Sequence, residues 1–434
     1  MATTRGWDSS LAFLQAPYTF VGDRCQALRT NVFETRLMLQ KTVCMRGRAA
    51  AQVFYDPELF ERSGASFSWL QATPVGKGSP QGVDGEFHER RARLFASLLA
   101  PSGIERLREL VAEEWAVSAD EWEKRDSIRL DEEFHSLLTR AVCVWAGIPL
   151  SEFEVERRSA DLVALFDQAA VVGPGHMRSR LARRRAEAWL MRLVRAERAG
   201  RAAFVPGSVA ARLTREDLDV RAAAVELLNF VRPIVAVSVY MVFVAHALHQ
   251  NPEAQPRGPE ATERFVQEVR RFYPFAPAVA ARVKRDFDWA GIRFAKGRRV
   301  LLDLYGTNHD PSFWSHPERF QPGRFLFWNQ DPFSFIPQSA GDPRVHNCSP
   351  VEAIALSLMK ETVAQLTDLR FEVPPQDTGL DMWRLPALPH AHLVVSHVRV
   401  APTEAPVHET QGTPTSPESE IFYKLPGGGR RRVG

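Results

Sequence analysis

Residues 221–250, RAAAVELLNFVRPIVAVSVYMVFVAHALHQ, limit what this chain can fold into more than any other stretch. Apolar side chains fall on nearly every face of a helix drawn through it, and such a helix belongs at the centre of a large core. The uncharged run from Pro233 to Ala245 is bounded by Arg232 and His246. It is too short for a bilayer, which needs about 20 apolar residues, so a buried helix is predicted. Pro233 removes a backbone hydrogen bond and should kink that helix. Arg232 sets a charge among Val, Ile, Ala and Phe. It either snorkels to water or pairs with Glu226, or it awaits an anionic ligand, because a planar guanidinium grips carboxylates with two bonds.

Around this helix the chain is mostly helical. Apolar spacing predicts helices over 88–101, 103–124, 131–148, 177–201 and 349–369, with breaks at Pro101 and between Gly147 and Pro149. The 177–201 segment is rich in arginine, but Leu181, Ala188, Leu190, Leu193 and Val194 offer an apolar face, so it reads as a solvated basic helix. Beyond Pro274 the texture changes. FDWAGIRFAKGRRVLLDLYG (287–306) reads as two strands joined around Lys296 and Gly297, residues 306–347 as ordered coil, and FEVP and HLVVSHVRV as strands. No alternation of strand and helix supports a doubly wound sheet. The predicted class is mainly α with small peripheral β-sheets, as one catalytic domain over 1–400 and a polar tail over 401–434 that buries too little to fold.

Composition narrows the function. The 434 residues carry 55 Lys+Arg against 52 Asp+Glu, a formal net charge of +3, which gives no reason to expect nucleic acid as a partner. Cys25, Cys44, Cys143 and Cys348 are too scattered for a disulfide framework or a zinc site. A reducing compartment fits them, and the N-terminus shows no signal peptide. The cytoplasm is therefore expected, without a transmembrane segment. The His246-x-x-His249 pair sits at a helix end and reads as structural.

Three further features bear on chemistry. Glu268 and Arg271 lie at i,i+3 in RFVQEVRRFYPF and can pair on one helix face. Arg324, in the coil HPERFQPGRF, could join them in a buried network that needs full pairing. Cys348 follows the loop FSFIPQSAGDPRVHN and directly precedes a helix. The positive end of a helix dipole favours thiolate over thiol there.

Together, LLNFVRPIVAVSVY (227–240), FVQEVRRFYPF (265–275), VLLDLYGTNHDPSFWSHPERFQPGRF (300–325), FIPQ (335–338) and QGVDGEFHERRARLFASLL (81–99) resemble the cytochrome P-450 superfamily, and within it the fatty-acid peroxygenases. The resemblance runs to about residue 400. It implies the cytochrome P-450 fold around one buried haem b, with the Cys348 thiolate as axial ligand of the haem iron. It also implies that His346 and His88 hydrogen-bond the haem propionates, with Arg91 a weaker candidate, and that Glu268, Arg271 and Arg324 form a structural network.

Ordinary members of the superfamily carry an acid–alcohol pair in the core helix, and none is present between Arg221 and Gln250. The resemblance then implies that a fatty-acid carboxylate held by Arg232, beside Pro233, serves as general acid–base toward hydrogen peroxide, giving hydroxylation at carbon 2 or 3. No reductase partner would be needed. Gln81 matches a position near the distal haem face where relatives with His are associated with decarboxylation, so Gln81 favours hydroxylation. Pro350 stands where the family has a glycine two residues after the cysteine. The alternatives are a non-catalytic member of the fold that binds haem or fatty acid, and a reductase-dependent monooxygenase.

Overall fold

A computed structural model describes residues 8–61, 100–167, 174–338 and 351–400. Short helices α1 (Ser10–Gln15), α2 (Phe20–Leu28) and α3 (Arg48–Phe54) surround the hairpin of β1 (Val32–Leu37) and β2 (Gln40–Arg46), followed by β3 (Phe60–Glu61). The body is helical. It comprises α4 (Pro101–Trp122), α5 (Leu130–Ala146), α6 (Glu152–Val163), α7 (Pro174–Arg198), α8 (Val209–Thr214), α9 (Val220–Val235), α10 (Ser238–Gln250) and α11 (Pro259–Phe272), with β4 (Ser127–Arg129) between α4 and α5. Strands β5 (Ala278–Val283), β6 (Phe287–Trp289), β7 (Ile292–Phe294) and β8 (Arg299–Asp303) precede the short α12 (Leu304–Asn308). Helix α13 (Glu352–Thr367), β9 (Leu369–Glu372) and β10 (Val394–Val400) complete the described chain.

The strands form three small sheets in the orders β1-β2-β8-β5-β3, β4-β10-β9 and β6-β7. Among the described residues only β2 and β8 run parallel, and every other pairing is antiparallel. The described residues up to Val400 belong to one compact unit.

Local chemistry explains several boundaries. Pro101 opens α4 rather than breaking a helix, because its missing N–H is an orphan in a first turn. Gly147 ends α5 at φ 72°, and a Cβ there would lie 2.2 Å from that of Ser208. Where two strands are expected around Lys296 and Gly297, the structure has three. Strands β6 and β7 turn at Ala290 and Gly291, both at positive φ (49° and 77°) as a tight two-residue hairpin loop requires. Lys296 and Gly297 only lead into β8.

The apolar stretch forms two helices, α9 and α10, separated by Ala236 and Val237. Asp219 caps α9 by accepting from Arg221 N and Ala222 N at 2.7 and 2.8 Å. Downstream of Pro233 the bonding tightens, with Val239 N donating to Ala236 O and Tyr240 N to Val237 O. The break sends the two halves to different neighbours: α9 lies on α7 and α5, α10 on α13 and α5. Taken as one stretch, Val220–Gln250 has the length and composition of a membrane span. However, 83% of its most apolar window is buried in the fold, as befits a core helix.

The arginine-rich helix α7 buries part of the face its apolar residues suggest: Leu190 and Val194 face inward together with Ala182, Arg183, Ala186, Glu187 and Trp189, whereas Leu181 and Ala188 are exposed. Pairing of Arg183 with Glu187 at 2.7 Å makes that face buriable.

Candidate active site

Arg232 stands in the last turn of α9, one residue before the helix proline. The negative end of the helix dipole favours a cation there. Among the described residues it has no salt bridge, Glu226 included, and its Nε is buried without a hydrogen-bond partner. Burial lowers its pKa to about 10, and the nearby Arg183 guanidinium pushes the same way, so the group stays charged at neutral pH. The side chain is enclosed by protein yet keeps intermediate accessible surface. An unpaired cation in such a position is expensive, and a bound anion is the compensation chemistry offers.

Glu268, Arg271 and Arg324 come together as expected. Arg271 grips Glu268 with two bonds of 2.8 Å, and Arg324 Nε donates to Glu268 Oε1 at 3.1 Å. Both Glu268 and Arg271 are fully buried. The arginines also donate to backbone carbonyls of Asn308 (3.0 Å), Pro317 (2.9 Å) and Ser315 (2.8 Å). The network thereby fastens the coil after α12 onto α11, and its role is structural.

A neighbouring arginine, which the sequence does not single out, joins two parts of the chain that lie far from it in sequence. Arg270, almost fully buried on α11, pairs with Glu352 at the first turn of α13 and lies 5.2 Å over the Phe335 ring. It thereby ties both the start of α13 and the end of the described coil to α11. Its partner Glu352 lies 82 residues further on, out of range of any helical spacing rule.

Gln81, His88, Arg91, His346 and Cys348 lie outside the described residues. The other three cysteines are free, buried thiols. Burial raises Cys25 and Cys143 to about 12 and Cys44 further still, so none offers a thiolate. His246 is engaged by Tyr273 Oη at 2.6 Å and the Thr378 carbonyl at 2.8 Å, and no metal-binding cluster exists among the described residues. Cys348 is the remaining cysteine of the sequence.

Solved structures resemble this chain over nearly all its length. Cytochrome P450SP alpha (CYP152B1) in complex with (R)-ibuprophen is 44% identical, with a TM-score of 0.85, covering 91% of this chain and 100% of that one. The chain belongs to the cytochrome P-450 family. Cytochrome P450EX alpha (CYP152N1), solved with myristic acid, is 38% identical with a TM-score of 0.86, over 92% of this chain and 98% of that one. The cytochrome P-450 family matches over residues 260–381, from α11 through the coil to just beyond β9. Cytochrome P-450 3A11 of Mus musculus is 37% identical over 92 residues, 20% of this chain and 18% of the mouse protein. In such matches the chain spans less than a third of the curated relatives' length.

This cytochrome P-450 has the mainly helical fold with small sheets that its sequence predicts, and haem b on a cysteine thiolate is its cofactor. The described residues fit that group. Their three cysteines are buried thiols that offer no competing thiolate, and α9 presents a cation with no anionic partner among the described residues where an acid–alcohol pair is otherwise expected.

Proposed function

We propose that this protein hydroxylates fatty acids near the carboxylate, at carbon 2 or 3, using hydrogen peroxide and no reductase partner. Arg232 carries the reading: it is a buried, charged guanidinium with no anionic partner among the described residues, at the kink of the core helix. A carboxylate is the ligand that its geometry and charge suit best. Two CYP152 relatives at 38% and 44% identity were solved with carboxylic acids, myristic acid and ibuprophen, which supports the same ligand class here.

Haem b, held by the Cys348 thiolate, supplies cleavage of the peroxide O–O bond and transfer of oxygen when bound. The protein's part is to hold the substrate and manage the proton. Arg232 fixes the carboxylate and, as an adjacent cation, keeps it ionised. The carboxylate can then take a proton from hydrogen peroxide and return it to the departing oxygen, filling the place of the missing side-chain acid. Gripping one end of the chain also sets which carbons are presented, because carbons 2 and 3 lie a fixed distance from the guanidinium.

His346 and His88, with Arg91, would hold the haem propionates, and Gln81 favours hydroxylation over decarboxylation. Residues 1–400 act as one catalytic domain, with 401–434 as a tail outside the chemistry. The buried free thiols suit a reducing compartment, and we place the protein in the cytoplasm. The test is Arg232→Ala in the haem-loaded protein. Peroxide-driven turnover of tetradecanoic acid should fall by about 100-fold, the scale on which one positioned acid–base contributes, while haem content is retained. Turnover at the wild-type rate would overturn the reading.

A further inference from the structure

Positive charge is concentrated on the outer face of α7. Residues 174–201 carry nine arginines and two glutamates, out of 55 Lys+Arg and 52 Asp+Glu in the whole chain, so the rest of the sequence is net acidic. Arg178, Arg180, Arg184 and Arg195 are exposed, and their guanidiniums make no ion pair or hydrogen bond among the described residues. Helix α4 shows the ordinary arrangement: Arg106 pairs with Glu109 and Glu113 at 2.9 and 3.1 Å, and Arg108 with Glu105 at 2.6 Å. On α7 the near neighbours are like charges instead. Arg180 and Arg184 stand at i,i+4, the first turn holds no acidic residue, and cations near a helix N-terminus oppose its dipole.

The outermost line of the helix is not purely charged. At helical spacing it runs Met177, Leu181, Arg184, Ala188, Arg192, Arg195, with Arg178 and Arg180 flanking it. Met177 and Leu181 leave 55% and 48% of their surface to solvent. We propose that this face of α7 docks on an anionic phospholipid bilayer, with the arginines over the headgroups and Met177 and Leu181 entering the acyl boundary. Arginines alone would suit any polyanion. Two apolar side chains one turn apart at the end of a cationic stripe gain nothing from the phosphates of a nucleic acid, but they do gain from hydrocarbon. An anionic leaflet attracts each nearby arginine and relieves the repulsion among those that α7 crowds together. The inward face, through Ala182, Ala186, Trp189 and Leu190, stays seated in the core, so docking needs no rearrangement of the fold. Fatty acids partition into bilayers, and a protein resting there meets the substrate class proposed above where it is concentrated. That purpose rests on the reading of Arg232; the docking itself does not.

The test is co-sedimentation of the haem-loaded full chain with vesicles of phosphatidylcholine, alone or mixed with phosphatidylglycerol, which involves neither turnover nor Arg232. The protein should bind the vesicles that contain phosphatidylglycerol, less tightly as salt is raised, and leave the neutral ones alone. Each arginine near an anionic surface is worth about fivefold. Arg178→Gln, Arg180→Gln, Arg184→Gln and Arg195→Gln together should therefore weaken partitioning by about 100-fold or more. Four exposed arginines of other surfaces, replaced as Arg36→Gln, Arg257→Gln, Arg285→Gln and Arg319→Gln, match that loss of charge and should change partitioning by less than about fivefold. Met177→Ser with Leu181→Ser should weaken it about tenfold at constant charge, which separates insertion from attraction alone.

Absence of binding to the phosphatidylglycerol vesicles would overturn the proposal. Equal losses in the two four-arginine variants would do the same, because they would show an effect of net charge and not of α7. An unchanged affinity in the serine variant would remove the apolar contact on which the choice of a bilayer rests. Tighter binding to duplex DNA or RNA than to the vesicles, through the same four arginines, would replace the bilayer with a nucleic acid. Every substituted side chain is exposed, and haem content measured for each variant verifies its fold. If vesicle binding follows these expectations while Arg232→Ala keeps wild-type turnover, the active-site reading fails and this inference stands; the reverse result sinks this inference alone.

Discussion

At the scale of single residues, Arg232 is legible in the sequence because a charge inside the most apolar helix has nowhere ordinary to go. Its two readings could be separated only in three dimensions, where no pair with Glu226 forms and the guanidinium is enclosed. Arg183 and Arg270 were not legible. Arg183 stands in a run of arginines on α7 that are mostly solvated, and nothing local marks the one that turns inward. Arg270 takes its meaning from Glu352, far along the chain. A residue kept for binding at a cost to the fold should reveal that cost. Replacing the unpaired cation with an apolar side chain of similar length, Arg232→Met, is expected to stabilise the ligand-free protein by about 1–3 kcal/mol. Chemical denaturation of the haem-loaded variant measures this. Saturating tetradecanoic acid should stabilise the wild type, by linkage, and leave the variant unmoved. A variant less stable than the wild type without ligand would show that Arg232 is a structural group.

Among the elements, the long helices follow from apolar periodicity, and α4, α5, α7, α9, α10 and α13 all fall within a few residues of their predicted spans. The five-stranded sheet was not read, because β1 and β2 are short and the pairing of β2 with β8 joins residues more than 250 positions apart. The inward face of α7 includes Leu190 and Val194 as its apolar residues indicate, but also charged positions that the Arg183–Glu187 pair makes buriable. Pairing, rather than hydrophobicity, likewise decides how the coil after α12 is held. Glu268 sits unexposed between Arg271 and Arg324, and the three groups satisfy one another and three backbone carbonyls. Removing one partner leaves an uncompensated buried charge. Glu268→Gln is therefore expected to cost about 3–5 kcal/mol, read as a lower urea midpoint by circular dichroism. A loss under about 1 kcal/mol, the range of an exposed pair, would show that water reaches the network.

For the whole molecule, the division of labour is between a cofactor that brings the oxidising chemistry and a substrate that brings the proton carrier. The protein joins the two by interrupting its core helix at Ala236 and Val237, just after Pro233, and leaving Arg232 without an anionic partner among the described residues. That account commits to an oxidant and a position of attack. The direct measurement is product analysis after the haem-loaded protein meets tetradecanoic acid and ¹⁸O-labelled hydrogen peroxide, without NADPH or a reductase. The account predicts 2- or 3-hydroxytetradecanoic acid carrying the label. Unlabelled product, attack toward the far end of the chain, or turnover that appears only with NADPH and an electron donor would contradict it.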